Sequence, residues 1–483
     1  MPDIRYVCLS DMHLGEEDSL LTNLKTASSD VDPTQASPVM DGLVACLRHL
    51  ITHNQGTDKP TLILNGDILE LALTTDNQAF MCFERFIEAI MAPGRELFKE
   101  IIFIPGNHDH HLWELARETQ YINHVKDIKP GGYLPIPWHT TNMFFGNGSE
   151  PVPSYSLTNL VQRHIHLSAF SIKTTYPNFA LFNDRTKKCV IFHHGHYVES
   201  LYHLMTILKN LIFSERKNPG NIWDIEAENF AWIDFFWSTM GRSGEAGQDV
   251  ELIYEKLQDK EQFRKLLYSL ADGLAKEYDL PGWGDRMEAK LAKGAFGAAV
   301  EKFYGTERTK VERPLSGNAE KGLWAYLNGP LREQIMTERQ GNMPADVTFV
   351  FGHTHKPFQE DMNFKGYPAW VSVYNTGGWV VETVAPQPLH GGSVVLLDDD
   401  LNAVALRMYN ENAAPAGSVV SLQEARHVGE TANPLYIHLN GLINQRAAPW
   451  KDFPETVARA VRVRAQNLRA RINEKPCYQS NSL

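Results

Sequence analysis

Short apolar runs recur along the chain, each ending in a polar or glycine-bearing turn: Tyr6 to Leu9, Thr61 to Leu64, Ile101 to Ile104, Cys189 to Phe192 and Val347 to Phe351. Their length and β-branched content predict buried strands rather than helices. Helical spacing fills the gaps between the first three. Leu43, Leu47, Leu50 and Ile51 share one helix face, and Phe80, Phe83, Ile87 and Ile90 share another. Strand alternating with helix predicts an α/β core whose sheet is largely buried. Further strand-like runs follow at Trp370 to Tyr374, Val394 to Leu397 and Ala403 to Met408.

Two stretches break this rhythm. Residues 16–40 are rich in Ser, Thr, Asp and Pro and predict a long loop. From about Tyr197 to Ala345 the pattern is mainly helical, with Leu204, Ile207, Leu208, Leu211 and Ile212 at helical spacing. A segment that long between core strands predicts an inserted subdomain. Its aromatic cluster (Trp223, Phe230, Trp232, Phe235, Phe236 and Trp237) could cap an apolar substrate portion. A core private to the insertion is the simpler expectation. The tail from Pro454 is helix-like and carries Arg459, Arg462, Arg464, Arg469 and Arg471, expected on an exposed face. The resulting division is 1–198, core; 199–345, helical insertion; 346–410, core again; and 411–483, a C-terminal extension.

Bulk composition narrows the class. Hydrophobic residues at 43% and charged residues at 22% suit a soluble globular protein with a large core. The formal net charge of -12 argues against non-specific nucleic-acid binding by the whole molecule. No basic and apolar leader opens the sequence, and no apolar run is long enough to span a membrane, so a cytoplasmic location is expected. The cysteines Cys8, Cys46, Cys82, Cys189 and Cys477 are scattered without a Cys-x-x-Cys pair, which predicts reduced, mostly buried thiols.

The chemistry sits where the strands end. After the first run comes Ser-Asp-Met-His-Leu-Gly, with Asp11 and His13; the second ends in Asn-Gly-Asp, with Asp67. The third ends in Gly-Asn-His-Asp, with Asn107, His108 and Asp109; the fourth in His-His-Gly-His, with His193, His194 and His196; the fifth in Gly-His-Thr-His, with His353 and His355. Ligands of an open α/β sheet collect at the carboxyl ends of its strands, so these five should meet in one crevice. Carboxylate, imidazole and amide oxygen without thiolate suit divalent Mn, Fe, Zn or Ni. If extended geometry continues past the strands, Asp11 with His13, and His353 with His355, point the same way. Asp67 can bridge two cations, and such a pair clamps a phosphoryl group and activates water as hydroxide. The glycines at 66, 106, 195 and 352 are expected to let the backbone turn sharply.

Taken singly, Asp-x-His or Gly-Asp is more often an ordinary solvated turn, and Gly-His-Thr-His alone could serve one metal. The ordered set of five carries the inference. In the fourth motif His194 and His193 both remain possible ligands. His196 reads as a neighbour or substrate-facing group, and His110 and His111 as ordinary loop or helix-start residues.

In this order the motifs resemble those of the calcineurin-like metallophosphoesterases, over roughly residues 4–198 and 346–408. The resemblance implies an α/β fold of the four-layer αββα sandwich type, here with a large helical insertion. It also implies two divalent ions, with Mn the first expectation. Asp11, His13, Asp67 and His355 would hold one, Asp67, Asn107, His194 and His353 the other, and Asp67 would bridge. His108 would act at the leaving oxygen, oriented by Asp109. The implied activity is hydrolysis of a phosphate ester or pyrophosphate bond by a metal-activated hydroxide.

Ser-Asp-Met-His-Leu-Gly, Gly-Asp-Ile-Leu-Glu, Gly-His-Thr-His-Lys-Pro and Asn375-Thr376-Gly377-Gly378-Trp379 are most similar to the UDP-diacylglucosamine pyrophosphatase-like branch. That branch typically has arginine where this chain has His108. A phosphorylated small molecule or lipid-linked nucleotide is the expected substrate. A nuclease and a non-catalytic metal-bound scaffold are the alternatives.

Overall fold

The computed structural model describes residues 1–26, 28–145, 151–212, 215–239, 307, 310, 312–412, 419–427 and 429–474. Two sheets lie at its centre. The larger has the order β15-β14-β13-β1-β4-β5-β7-β6 and the smaller β11-β12-β10-β9-β8. In chain order the strands are β1 (Tyr6–Leu9), β2 (Thr22–Leu24), β3 (Val31–Ala36), β4 (Thr61–Asn65), β5 (Glu100–Ile104), β6 (Val152–Pro153), β7 (Ile172–Thr174) and β8 (Asn178–Phe182). They continue with β9 (Lys188–His193), β10 (Asp346–Phe351), β11 (Phe358–Met362), β12 (Val371–Asn375), β13 (Gly391–Leu397), β14 (Ala403–Asn410) and β15 (Ser421–Gln423). Strands β1, β4, β5 and β7 run parallel in the first sheet. Strands β9, β10 and β12 run parallel in the second.

Alternation along the strands explains the continuous apolar runs. Val7, Leu9, Leu62, Leu64, Ile101 and Phe103 point to one side and join the core formed with the helices. Cys8, Ile63, Ile102 and Ile104 point to the other and meet Val190, Phe192, Val350 and Tyr374 of the second sheet. A strand covered on both faces has no solvent side on which to place polar residues.

Helices α1 (Pro38–Ile51) and α2 (Asp76–Ile90) cover the outer face of the first sheet. Both show the faces expected from spacing: Leu43, Leu47, Leu50, Phe83, Ile87 and Ile90 are buried. Helix α3 (His111–Lys126) follows the third motif, and α4 (Tyr155–Val161) precedes β7. Beyond the fourth motif lie α5 (Leu204–Ile212) and α6 (Ile222–Asp234), then α7 (Gly317–Tyr326) and α8 (Arg332–Glu338).

The described helices between 199 and 345 correct one expectation. Ile222, Ile225, Ile233, Trp237, Leu323 and Ile335 share a core with Cys189, Ile191, Val347, Phe349 and Val371 of the second sheet. Phe230 instead joins Trp113 and Tyr176. Among the described residues the aromatic run therefore does not enclose a private core. It helps form the outer helical layer on the second sheet and completes a four-layer αββα sandwich. Phe235 is exposed.

Two further corrections concern the segments read as loop and tail. Residues 16–40 contain the β2–β3 antiparallel hairpin before α1 begins. Its strands carry few β-branched apolar residues, so only the pairing reveals them. Between α9 (Pro434–Asn440) and the end lies α10 (Phe453–Glu474), packed through Phe453, Val457 and Val461 on the core beneath α1. Arg464 is buried there, not exposed, and donates to the carbonyls of Ser19 and Thr22. Arg471 pairs with Glu17 and Asp18.

The thiols of Cys8, Cys46, Cys82 and Cys189 are free and buried; Cys477 lies outside the described residues. Among the described residues, no helix is long and apolar enough to cross a membrane.

Candidate metal centre

All five motifs sit at carboxyl ends of parallel strands, and the two sheets are tied together at that edge. The Asn65 side chain at the end of β4 donates across the sheet interface to the His193 carbonyl, 3.1 Å away. The His353 backbone N–H donates to Asp11 Oδ1 at 2.8 Å.

The chain does not stay extended there. Asp11, His13, Asp67, His353 and His355 have φ of 49°, 43°, 51°, 67° and 56°. Left-handed backbone at five non-glycine residues costs conformational energy that the surrounding contacts must offset. The convergence of Asp11 with His13, and of His353 with His355, thus comes from consecutive tight turns and not from strand alternation. The glycines divide similarly. Gly66 and Gly195 do adopt positive φ. Gly106 and Gly352 are required by close approach, since a Cβ would come within 2.3 Å of Asp67 Oδ1 and 2.0 Å of Asp11 Oδ2.

Three buried groups result among the described residues: Asp11, His13 and His355; Asp67, His194 and His353; and His13, Glu70 and His108, which shares His13 with the first. The first two hold the candidate ligands and form two clusters. Asn107 joins the second, its Oδ1 lying 3.1 Å from His194 Nε2. That same nitrogen lies 3.1 Å from Asp67 Oδ2 and 3.3 Å from His353 Nδ1. Asp67 Oδ2 is also 3.8 Å from His13 Nε2, which places this carboxylate between the clusters. His193 lies on the far side of β9, packed against Tyr326 and His196. Geometry therefore groups His194 with the other candidates and leaves His193 behind. His110 and His111 face Asp234 of α6, and His196 stacks on Tyr176.

The outer nitrogen of each imidazole meets an oxygen. His13 Nδ1 is 2.8 Å from Glu70 Oε2, His194 Nδ1 3.2 Å from the Asn65 carbonyl, and His353 Nε2 2.8 Å from Glu199 Oε1. His355 Nδ1 is 3.0 Å from Glu382 Oε1. At His13, His194 and His353, where the contact is a hydrogen bond, a proton held on that outer nitrogen leaves the inner one as a lone pair aimed into the cluster, as a metal-ligating imidazole requires.

The residues fit divalent cations. His194 Nε2 faces three potential acceptors, and one proton can serve only one of them. His13 Nε2 is buried with no hydrogen-bond partner among the described residues. Burial alone would raise the Asp67 carboxyl, but His194, His108 and His13 hold it well below the carboxylate range. Burial likewise disfavours charge on His194, yet Asp67, Asp11 and Asp109 push it up to about 9. The ion-free chain thus takes up a proton where the site calls for positive charge. Buried anions need such compensation.

Glu70, the last residue of Gly-Asp-Ile-Leu-Glu, also faces the centre. Its carboxylate contacts both His13 and, at 2.9 Å, His108 Nδ1. Asp109 does not orient His108 as expected. It accepts the backbone N–H groups of Gly106 and Ile68, both at 2.7 Å, and so braces the second and third motif loops against each other. Burial and the neighbouring Asp67 push the Asp109 carboxyl up to about 7, against those N–H groups.

The stretch Asn375 to Trp379 also braces the site. Asn375 Nδ2 donates to the Gly352 carbonyl at 2.8 Å, and the Trp379 N–H to the Asp11 carbonyl at 3.0 Å. A Cβ on Gly378 would come within 2.5 Å of the His355 ring. From the outer helical layer, Tyr202 sets its ring edge-on to His353 at 5.1 Å, and Trp237 lies 6.5 Å from the His108 ring. Ser238 Oγ accepts the His111 N–H at 2.9 Å.

Behind the centre, Glu226 of α6 is buried facing the hydroxyls of Tyr197 and Tyr176. Burial raises its carboxyl well above the ordinary 4.5, although the hydroxyls oppose this. The contribution of a neutral Glu226 to stability is therefore complete below pH 4.5 and is lost as pH rises towards the folded pKa. Glu226→Gln carries no such loss. Thermal melts should show the variant gaining on the wild type between pH 5 and pH 8. A gap that stays constant across that range would contradict a neutral Glu226.

No curated protein matches the chain. Among solved structures, a dimetal phosphatase from Danio rerio aligns over 84% of this chain and 95% of its own, at 11% identity and a TM-score of 0.30. A cold-active protein-tyrosine phosphatase of a psychrophile Shewanella sp. aligns over 84% and 78%, at 10% identity and a TM-score of 0.23. Both fits are too loose to argue from. The family model described as calcineurin-like phosphoesterase matches residues 4–236, the stretch that supplies Asp11, His13, Asp67, Asn107, His108 and His194. Over those residues the chain is similar to the calcineurin-like phosphoesterases.

Proposed function

We propose that the chain hydrolyses a phosphate ester or pyrophosphate bond at two divalent cations, one held by Asp11, His13, Asp67 and His355 and the other by Asp67, Asn107, His194 and His353. The observation that carries this reading is the turning of inner ring nitrogens, carboxylates and an amide oxygen onto one buried centre around Asp67. When bound, such ions neutralise charge on a transferring phosphoryl group and make water more acidic.

The chain's own part follows from its contacts. Asp67 sits between both clusters and supplies the shared negative charge. Glu70 fixes His13 and His108 together, so the two rings keep one spacing. With Nδ1 held by Glu70, His108 presents its other edge to hold or deliver a proton at the leaving oxygen. Trp237 beside His108 and Tyr202 beside His353 give that side of the centre an apolar wall.

A phosphorylated small molecule or lipid-linked nucleotide is the proposed substrate class, with Mn the first metal to test. A nuclease would need a basic groove along its substrate. Two arginines of α10, Arg464 and Arg471, are engaged inside the fold, which weakens that alternative.

The Mn-loaded protein is expected to cleave bis-p-nitrophenyl phosphate or a nucleotide-sugar pyrophosphate and to stop when a chelator is added. Two bound ions with no turnover on these substrates, p-nitrophenyl phosphate or single-stranded DNA would point instead to a metal-bound scaffold.

A further inference from the structure

Glu199 opens the stretch between the fourth motif and β10, and its two oxygens face in different directions. Oε1 lies 2.8 Å from His353 Nε2. Oε2 accepts the backbone N–H of Glu307 at 3.0 Å, from the far end of that stretch. Glu307 in turn grips the fifth motif. Its carbonyl and its Oε1 accept from Lys356 Nζ at 2.9 and 3.0 Å, and the Lys310 carbonyl accepts from the same ammonium at 2.9 Å. Lys356 is fully buried and directly follows His355. One hydrogen-bonded chain therefore runs from His353 through Glu199 and Glu307 to Lys356.

We propose that Glu199 is a positioning residue that couples the second metal position to the docking of the segment at Glu307 and Lys310. The inference rests on the dinuclear reading above. By accepting a hydrogen bond from His353 Nε2–H, Glu199 keeps the proton there and leaves Nδ1 as a lone pair towards His194 and Asp67. A cation at Nδ1 withdraws electron density from the ring and strengthens the outer N–H bond to Glu199. The docked Glu307 N–H holds the same carboxylate in place for that bond. Each event stabilises the other, and such coupling is reciprocal. The charge and shape of the residue matter, because both neighbours are donors. Glutamine offers one acceptor oxygen and sets an NH₂ group against the other donor.

The test uses the full chain with Mn²⁺ as the probe. Chelator competition should show two Mn²⁺ on the wild type. Glu199→Gln should keep one position unchanged and weaken the other by about 10- to 100-fold. Saturating Mn²⁺ should also slow tryptic cleavage within residues 199–345 of the wild type by about fivefold or more, and Glu199→Gln should abolish that protection. Unchanged affinity at both positions, or equal protection in the variant, overturns the coupling while leaving the dinuclear reading intact. A wild type that binds no Mn²⁺ overturns both. Should Glu199→Gln fail to fold, Lys356→Met tests the same link from the other end. Loss of Mn²⁺ protection is expected there, and retained protection overturns the proposal.

Discussion

Asp67→Asn is expected to release bound metal from both positions and to lower turnover by roughly a thousandfold, the scale seen when preorganised charge stabilisation is removed. The substitution barely changes shape. It removes the carboxylate lying between the clusters, 3.1 Å from His194 Nε2 and 3.8 Å from His13 Nε2. The amide also brings an NH₂ group that points a donor where a ligand atom is needed. In the ion-free chain Asp67 is the strongest of the carboxylates holding the proton on His194, so His194 should lose that proton more readily in the variant. Metal content per chain and the His194 ring signal by NMR both report on this. An Asp67→Asn protein that keeps two ions and full turnover would remove the shared carboxylate from the reading.

His108→Ala should separate chemistry from assembly. The His108 ring belongs to neither the Asp11 nor the Asp67 cluster; it groups with Glu70 and His13, edge-on to the His13 ring at 4.8 Å. With the ring gone, Glu70 still contacts His13 at 2.8 Å, so both ions should remain. Turnover should fall by about a hundred- to ten-thousandfold, the usual contribution of a positioned acid or base. The loss should fall on kcat more than on KM, and a substrate with a good leaving group should suffer less. Metal analysis beside steady-state rates on p-nitrophenyl and alkyl esters would check both halves. Equal losses on both leaving groups, or loss of an ion, would move His108 from proton handling to structural support.

Much of the site was legible in one dimension because strands buried on both faces write themselves as unbroken apolar runs. The residues just beyond such runs are those a parallel sheet gathers at its edge. Asp11, Asp67, Asn107, His194, His353 and His355 could each be named from that rule and their residue types. Glu70 was in view, three residues after Asp67, yet its role was not readable. Its partner His13 is 57 residues away, and nothing local distinguishes it from a solvated acid. Glu199 lies 154 residues from His353, in a stretch whose only local signal was helical spacing. The β2–β3 hairpin was hidden for a related reason, since neither strand has the composition of a buried one.

Residue chemistry and the order of the strand ends thus specified an oxygen- and nitrogen-rich metal site in an α/β sandwich, because both are written in local pattern. Folding alone settled three other matters. It put five of the candidate ligands into left-handed turns, set which nitrogen of the imidazoles faces inward, and laid the described helices between residues 199 and 345 on the second sheet as an outer layer. Each depends on groups brought together from remote parts of the chain, where a carboxylate or carbonyl fixes a tautomer and a packed surface holds a strained turn. No local spacing rule encodes such a meeting.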